Sequence, residues 1–448
     1  MPKVKIICTI GPAVSSLDSI VELSEAGMNV ARLNFSHSCR KQHLKRIDYI
    51  KEAREKLGIP LGIMLDTKGH EIRSLRIEKK GFRVEKGTHI HLKKNKDIQE
   101  RTDLSLTPDY LIDEIAEGAR ILIDDGLIIA KIIKKNEHGA LLEIENDGVL
   151  YTGKSVNIPH FEFSFTSLPQ CDIDDITFGL KHGIDSIAAS FINDPRPILE
   201  IKKILRDHQA SHIPVYAKIE SQQGVDNFDA ILGVADGIMV ARGDLGMHTP
   251  LYTLPRLQKM MIQKGRAAKK PVIVATQLLE SMTHHPFPTR AEVLDVSNAV
   301  IDGASALMLS GETAIGKYPK EAVTIMHTII KESEHYLLPR KTFSPGGKIE
   351  SFLSKEKPDA VLVIANNEKI IRSFSYIQSN IPIFALTDNY SLFCRLSLYR
   401  AIRPLYSQKK AIPFLNFEGT KLALCKETGK GTQVSFEIVA QSSLSTHA

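Results

Sequence analysis

The chain has 448 residues, 43% of them hydrophobic and 25% charged, with a formal net charge of +6. That composition excludes a disordered or fibrous chain and predicts two or three domains with sizeable cores. The 5 cysteines are widely and irregularly spaced with no Cys-x-x-Cys, which argues against a disulfide framework or zinc site and predicts a reducing compartment. The basic residues are interspersed with acids and no aromatic-basic cluster repeats, so small polyanions suit the charge better than nucleic acid.

In chain order, the start "MPKVKIICTIGP" has too short an apolar run before Gly11 and Pro12 for a secretory signal, and no later run approaches the ~20 apolar residues of a spanning helix. The expectation is a soluble cytoplasmic protein with no membrane partner. Short apolar runs then alternate with longer amphipathic ones: "KIICTI", "NVARLN", "GIMLDT", "SIAASF", "VYAKIE", "GIMVAR", "VIVATQ" and "ALMLSG" read as strands. Helical segments such as "DSIVELSEAG", "PILEIKKILRDHQ" and "PKEAVTIMHTIIKESE" follow nearly every one. The pattern predicts an α/β chain built on a (β/α)8 barrel of the TIM type.

The rhythm breaks twice. After "GIMLDT" come Gly-punctuated strand-like pieces, read as a small all-β domain inserted at 71–155, between barrel segments 1–70 and 156–340; such an insert sits at the barrel mouth as a lid. Past "LPRKTFSPGGK", residues 341–448 resume as a smaller C-terminal α/β domain.

Chemistry in such barrels sits where the C-terminal strand ends converge. Polar residues gather at those ends: Arg32, Asn34 and Ser36; Asp66 and Thr67; Lys218 and Glu220; Arg242 and Asp244; Thr276 and Gln277; Ser310 and Glu312. In "VYAKIE", Lys218 and Glu220 are two apart and so share a side-chain direction. The lysine suits a transferring phosphoryl group and the carboxylate a divalent metal; a buried structural ion pair is the alternative. Asp244 is the natural second carboxylate for Mg2+. A helix turn beginning near Gly243 in "ARGDLG" would aim backbone N–H groups at an anionic substrate. Asn34, Ser36, Asp66 and Thr67 offer oxygen donors with a single charge, suited to a monovalent cation or to a polar hydrogen-bond cluster.

The blocks "ICTIGP", "GMNVARLNFSH", "LDTKGHEIR", "KIESQQGV", "DGIMVARGDLG", "VATQLLESM" and "PTRAEVLDVSNAVIDGASALMLSGETAIGKYP" closely resemble pyruvate kinases, in order and spacing, over residues 3 to about 335. The resemblance implies a barrel with a small β-barrel lid and a C-terminal domain, and transfer of phosphoryl from phosphoenolpyruvate to ADP with Mg2+ and K+. It implies Mg2+ at Glu220 and Asp244, K+ at Asn34, Ser36, Asp66 and Thr67, and potassium dependence at Glu71. Arg32 and Lys218 match cations at the phosphoryl group, and Thr276 the threonine near the enolate carbon. The resemblance further implies a substrate-binding set of Ala241, Arg242, Gly243, Asp244 and Thr276; His37, Arg73 and Lys154 match nucleotide-side residues.

Some positions depart from that pattern. His70 stands where the family usually has Pro, His248 where an acid is common, and "SHSCRKQH" lacks an aromatic residue near the nucleotide. The C-terminal "VIANNEKIIRSFS" lacks a Ser/Thr-Gly loop, so sugar-phosphate activation is not expected and the family's tetramer is left open. A Mg2+-enolate barrel lyase and a non-catalytic paralogue are the rival readings.

Overall fold

The computed structural model describes residues 2–75, 81–94, 100, 103–124, 126–159, 161, 167–336, 348–377, 381–407, 421–428 and 433–440. Most of the expected linker "LPRKTFSPGGK" and the chain's last eight residues lie outside them.

The eight apolar runs form one closed parallel barrel: β1 (Lys5–Thr9), β2 (Val30–Asn34), β3 (Gly62–Asp66), β4 (Ser186–Ala189), β5 (Val215–Ile219), β6 (Gly237–Ala241), β7 (Val272–Ala275) and β8 (Ala306–Leu309), with β8 closing on β1. The strands are apolar on both faces because both are covered. Ile7, Val30, Met64, Tyr216 and Met239 fill the interior, while Ile6, Ala31, Leu33, Ile63 and Leu65 pack outward on the helices. Leu398, from the C-terminal part of the chain, joins the interior cluster. Burying such a side chain contributes about 1.5–3 kcal/mol, which ties the C-terminal unit to the barrel.

Local signals set the helix ends. The Thr289 hydroxyl accepts from Glu292 N–H and the Glu292 carboxylate accepts from Thr289 N–H, a capping box that starts helix Arg290–Asp302, which ends at Gly303 with φ 100°.

Between β3 and helix Gln170–Lys181 the chain leaves the barrel to form a seven-stranded mixed sheet and a two-stranded one, with a core of their own that includes Ile90, Leu92, Ile121 and Leu142. At the crossing, Gly69 has φ +66°, and a Cβ there would lie 2.8 Å from Ser190 Cβ, so only glycine fits without strain. Asp172 accepts the Gly69 N–H at 3.0 Å, and His70 Nε2 donates to the Ser167 carbonyl at 2.8 Å. His70 therefore spans the two chain crossings between barrel and insert.

The C-terminal unit is a five-stranded sheet in the order β11-β10-β9-β12-β13: β9 (Ala360–Ile364), β10 (Ile383–Thr387), β11 (Ile402–Tyr406), β12 (Lys421–Thr428) and β13 (Gln433–Ala440). Only the β12–β13 pairing is antiparallel. No helix among the described residues is long and apolar enough to cross a membrane.

Candidate active site

The ends of β2, β3, β4 and β5 bring a buried ionic cluster together. Asp66 closes β3; one carboxylate oxygen accepts Arg32 Nε at 2.7 Å and the other accepts Lys218 Nζ at 3.0 Å. Lys218 also meets Glu220 Oε1 at 3.1 Å and donates to Ser190 Oγ at 2.6 Å. Glu220 Oε2 accepts the Phe191 N–H at 2.6 Å, and Arg32 Nη1 donates to Thr9 Oγ1 at 2.9 Å. Asp66 is fully buried, Glu220 is 2% exposed and Lys218 8%.

Burial at such a site penalises every charge, and the pairing decides the outcome. Burial opposes the Lys218 ammonium, yet Asp66 and Glu220 together hold its pKa above the usual lysine range. Burial likewise opposes the Asp66 carboxylate, but Arg32 and Lys218 keep its pKa below the usual range. The result is two fixed cations at the mouth of a closed barrel, screened from water and already oriented.

Across the mouth, helix Arg242–His248 follows β6 directly. The Arg242 guanidinium does not face the mouth. It donates to the carbonyls of Thr276 (2.8 Å) and Gln277 (2.9 Å) and to Asp295 Oδ1 (2.8 Å). Thr276 and Gln277 have φ +69° and +51°, a left-handed pair of non-glycine residues that costs on the order of 1–3 kcal/mol each. Arg242 is the clamp that offsets this strain. Gly243 N–H is committed to Thr276 Oγ1 at 2.7 Å, so the threonine hydroxyl is fixed from a second side. Asp244, on the same helix turn, acts electrostatically on Lys218 and lines a small cleft with Glu71, Phe191 and His248.

Asn34 and Asp66 are register partners on β2 and β3, and Asn34 Oδ1 accepts the Ser36 N–H at 3.0 Å. Thr67 follows at once, its carbonyl accepting from Ser190 Oγ at 2.6 Å. Glu71 pairs with Arg73 at 2.6 Å through one oxygen, while its buried Oε2 has no hydrogen-bond partner. Arg73 Nη1 also donates to the Gly153 carbonyl at 2.6 Å. Burial, followed by the Arg73 charge, lowers the His37 pKa, which puts His37 within electrostatic range of that pair. Lys154 projects from the insert, paired to Asp124 at 3.0 Å and over the Tyr151 ring.

A family model described as pyruvate kinase, barrel domain, matches residues 1–323. The chain belongs to the pyruvate kinase family. A pyruvate kinase of Bacillus licheniformis is 42% identical over 413 residues, covering 89% of this chain and 71% of the relative. One of Geobacillus stearothermophilus is 41% identical, covering 88% and 70%, and one of Staphylococcus saprophyticus 44% identical, covering 75% and 57%. The activity is phosphotransfer of the pyruvate kinase type.

The geometry also reveals residues that sequence reasoning missed. Ser190 bridges Lys218, Asp66 and Thr67, and Thr9 holds Arg32. Both sit at or just past strand ends, so the rule that found the other residues covers them too. Asp295 lies on a helix and gave no such signal. Glu312 plays a different part from that expected of a strand-end carboxylate: it is fully buried and accepts the N–H groups of Leu279 and Ser310, stapling the loops after β7 and β8. His248 is buried, and that burial pushes its pKa down to about 4, so a neutral imidazole stands beside Asp244 at neutral pH.

Proposed function

We propose that the strand-end face transfers the phosphoryl group of phosphoenolpyruvate to ADP, giving pyruvate and ATP, with Arg32 and Lys218 as the cations at the moving group. The observation that carries this reading is the Arg32–Asp66–Lys218–Glu220 cluster: two buried cations locked by carboxylates, where phosphoryl transfer needs positioned positive charge and little covalent help.

Among the described residues no three His, Cys, Asp or Glu side chains group to hold a metal alone. Two carboxylates, Glu220 and Asp244, with substrate oxygens completing the shell, suit Mg2+, which rarely takes an all-protein cage. Bound there, Mg2+ supplies charge neutralisation at the phosphoryl oxygens. Asn34, Ser36, Asp66 and Thr67 suit K+, and Glu71 keeps one buried carboxylate oxygen, Oε2, without a hydrogen-bond partner.

Thr276, fixed by Gly243 and Arg242, orients the water chain that protonates the enolate. Ala241 to Asp244 provide the turn against the substrate, through the backbone and the Asp244 carboxylate, while the Arg242 side chain supports Thr276. His37, Arg73 and Lys154 serve the nucleotide phosphates. For Lys154 this requires exchange of Asp124 for phosphate as the insert closes and excludes water. A homo-oligomeric assembly is supported by the exposed Leu251, Tyr252, Phe287, Leu294 and Ile315, and a cytoplasmic location by five free cysteines.

Replacing Glu220 by Gln tests the metal assignment. Half-saturating Mg2+ is expected to rise about 10–100-fold, read from turnover against Mg2+ concentration. An unchanged Mg2+ dependence would remove Glu220 from the site.

A further inference from the structure

The residues after β2 leave the barrel wall to reach helix Arg40–Leu57. The first of them are held by the barrel: Phe35 N–H donates to the Asp66 carbonyl at 2.9 Å and Ser36 N–H to Asn34 Oδ1 at 3.0 Å. His37 and Ser38 are exposed, and Ser38 has φ +73°, a left-handed conformation that a residue with a side chain keeps only under restraint. His37 N–H donates to the Asn34 carbonyl at 3.2 Å; the other holds on this pair come from the helix. His43 Nε2 donates to the His37 carbonyl at 2.8 Å, and Arg46 Nη1 donates to Ser38 Oγ at 3.1 Å. His43 and Arg46 are three residues apart, so they project from one face of the helix and grip two neighbouring residues of the loop.

The His43 ring is 1% exposed and stacks on Phe35, with centroids 4.1 Å apart and planes 12° apart, and Phe35 leans in turn on Phe178 at 6.2 Å. An apolar ring would fill that slot. Because a carbonyl can only accept, Nε2 carries the ring proton and Nδ1 is the bare nitrogen; buried Nδ1 has no hydrogen-bond partner among the described residues. A buried polar atom without a partner is costly. The imidazole offsets that cost with its bond to the His37 carbonyl, which a phenyl ring could not make. Burial pushes the His43 pKa down to about 4, so the ring stays neutral at neutral pH.

We propose that His43 and Arg46 are positioning residues for the nucleotide side of the reaction: through the His37 carbonyl and the Ser38 hydroxyl they set where the His37 side chain stands. Both act through the loop. The inference rests on the reading of His37 as a nucleotide-side residue, and it carries a selectivity of its own. Asn34 and Asp66 are register partners on adjacent strands, and Arg32 and Lys218 are locked by Asp66, so the cation and phosphoryl sides are held by the barrel itself. A slack loop at His37 and Ser38 is therefore felt in the use of ADP, while phosphoenolpyruvate and K+ keep their places.

Steady-state kinetics of the full chain with replacements at His43 test it. His43→Phe keeps the ring and its stack but removes the donor, whereas His43→Gln gives up the ring and carries an amide nitrogen at a similar reach. KM for ADP is expected to rise about tenfold in His43→Phe, with KM for phosphoenolpyruvate and half-saturating K+ within about twofold of wild type, and to return near wild type in His43→Gln. Arg46→Met loosens Ser38 from the same helix face and is expected to raise KM for ADP too; it carries the test if His43→Phe does not fold, as circular dichroism will tell. A normal KM for ADP in whichever of these two variants folds, an equal rise for both substrates, or no recovery in folded His43→Gln would overturn the proposal. His37→Ala separates it from the reading beneath. A raised KM for ADP there, beside a normal one in His43→Phe, overturns the positioning role alone; a normal one in His37→Ala removes His37 from the nucleotide side and the inference with it.

Discussion

Replacing Lys218 by Met is expected to lower kcat by about 10³ while the chain stays folded, since one preorganised group aimed at developing charge commonly accounts for such a factor. Met keeps much of the length and the apolar stem of the side chain. The two carboxylates it leaves behind retain partners: Asp66 keeps Arg32, and Glu220 keeps the Phe191 N–H. Removing one partner of these buried pairs also costs stability, about 3–5 kcal/mol, so the fold of the variant is followed beside its rate. Pyruvate formation, measured beside circular dichroism and the thermal midpoint, reads both. Wild-type turnover in a folded variant would remove Lys218 from the mechanism.

Asp66→Asn is expected to act mainly on stability, because it leaves Arg32 and Lys218 as buried cations with their shared counter-charge gone. Breaking a buried pair by removing one partner costs about 3–5 kcal/mol. A fall of roughly 10 °C in the barrel's thermal midpoint follows. The pH dependence has a definite sign. The folded pKa of Asp66 lies below the ordinary aspartate value of 3.8, so its contribution is present above that value and lost as pH falls through the depressed folded pKa. The gap between wild type and variant should therefore be constant near neutrality and narrow in acid below the ordinary carboxylate range. A variant as stable as the wild type at neutral pH would show that Asp66 does not organise the cluster.

The sequence carried the barrel because both sides of each strand are covered. A run such as "GIMLDT", apolar until its last polar residues, has few other ways to be buried, and its polar end marks the mouth. Lys218 and Glu220 were legible for the same reason: two charges at alternating positions in a buried strand must face something. The Arg242 side chain was not. "ARGDLG" places it at a strand end, but its direction depends on Asp295 and on the left-handed backbone at Thr276 and Gln277, partners 53 and 34 or 35 residues away in sequence. The structural role of Glu312 was out of reach for the same reason, since its backbone partner at Leu279 lies 33 residues earlier.

The most direct measurement is pyruvate formation from phosphoenolpyruvate and ADP with Mg2+, comparing K+ with a large organic cation at equal ionic strength. Robust turnover that collapses without K+ is the predicted result, and it would support phosphoryl transfer together with the roles of Asn34, Ser36, Asp66, Thr67 and Glu71. Turnover indifferent to the monovalent cation would contradict those five assignments, and no turnover in either salt would contradict the catalytic reading as a whole.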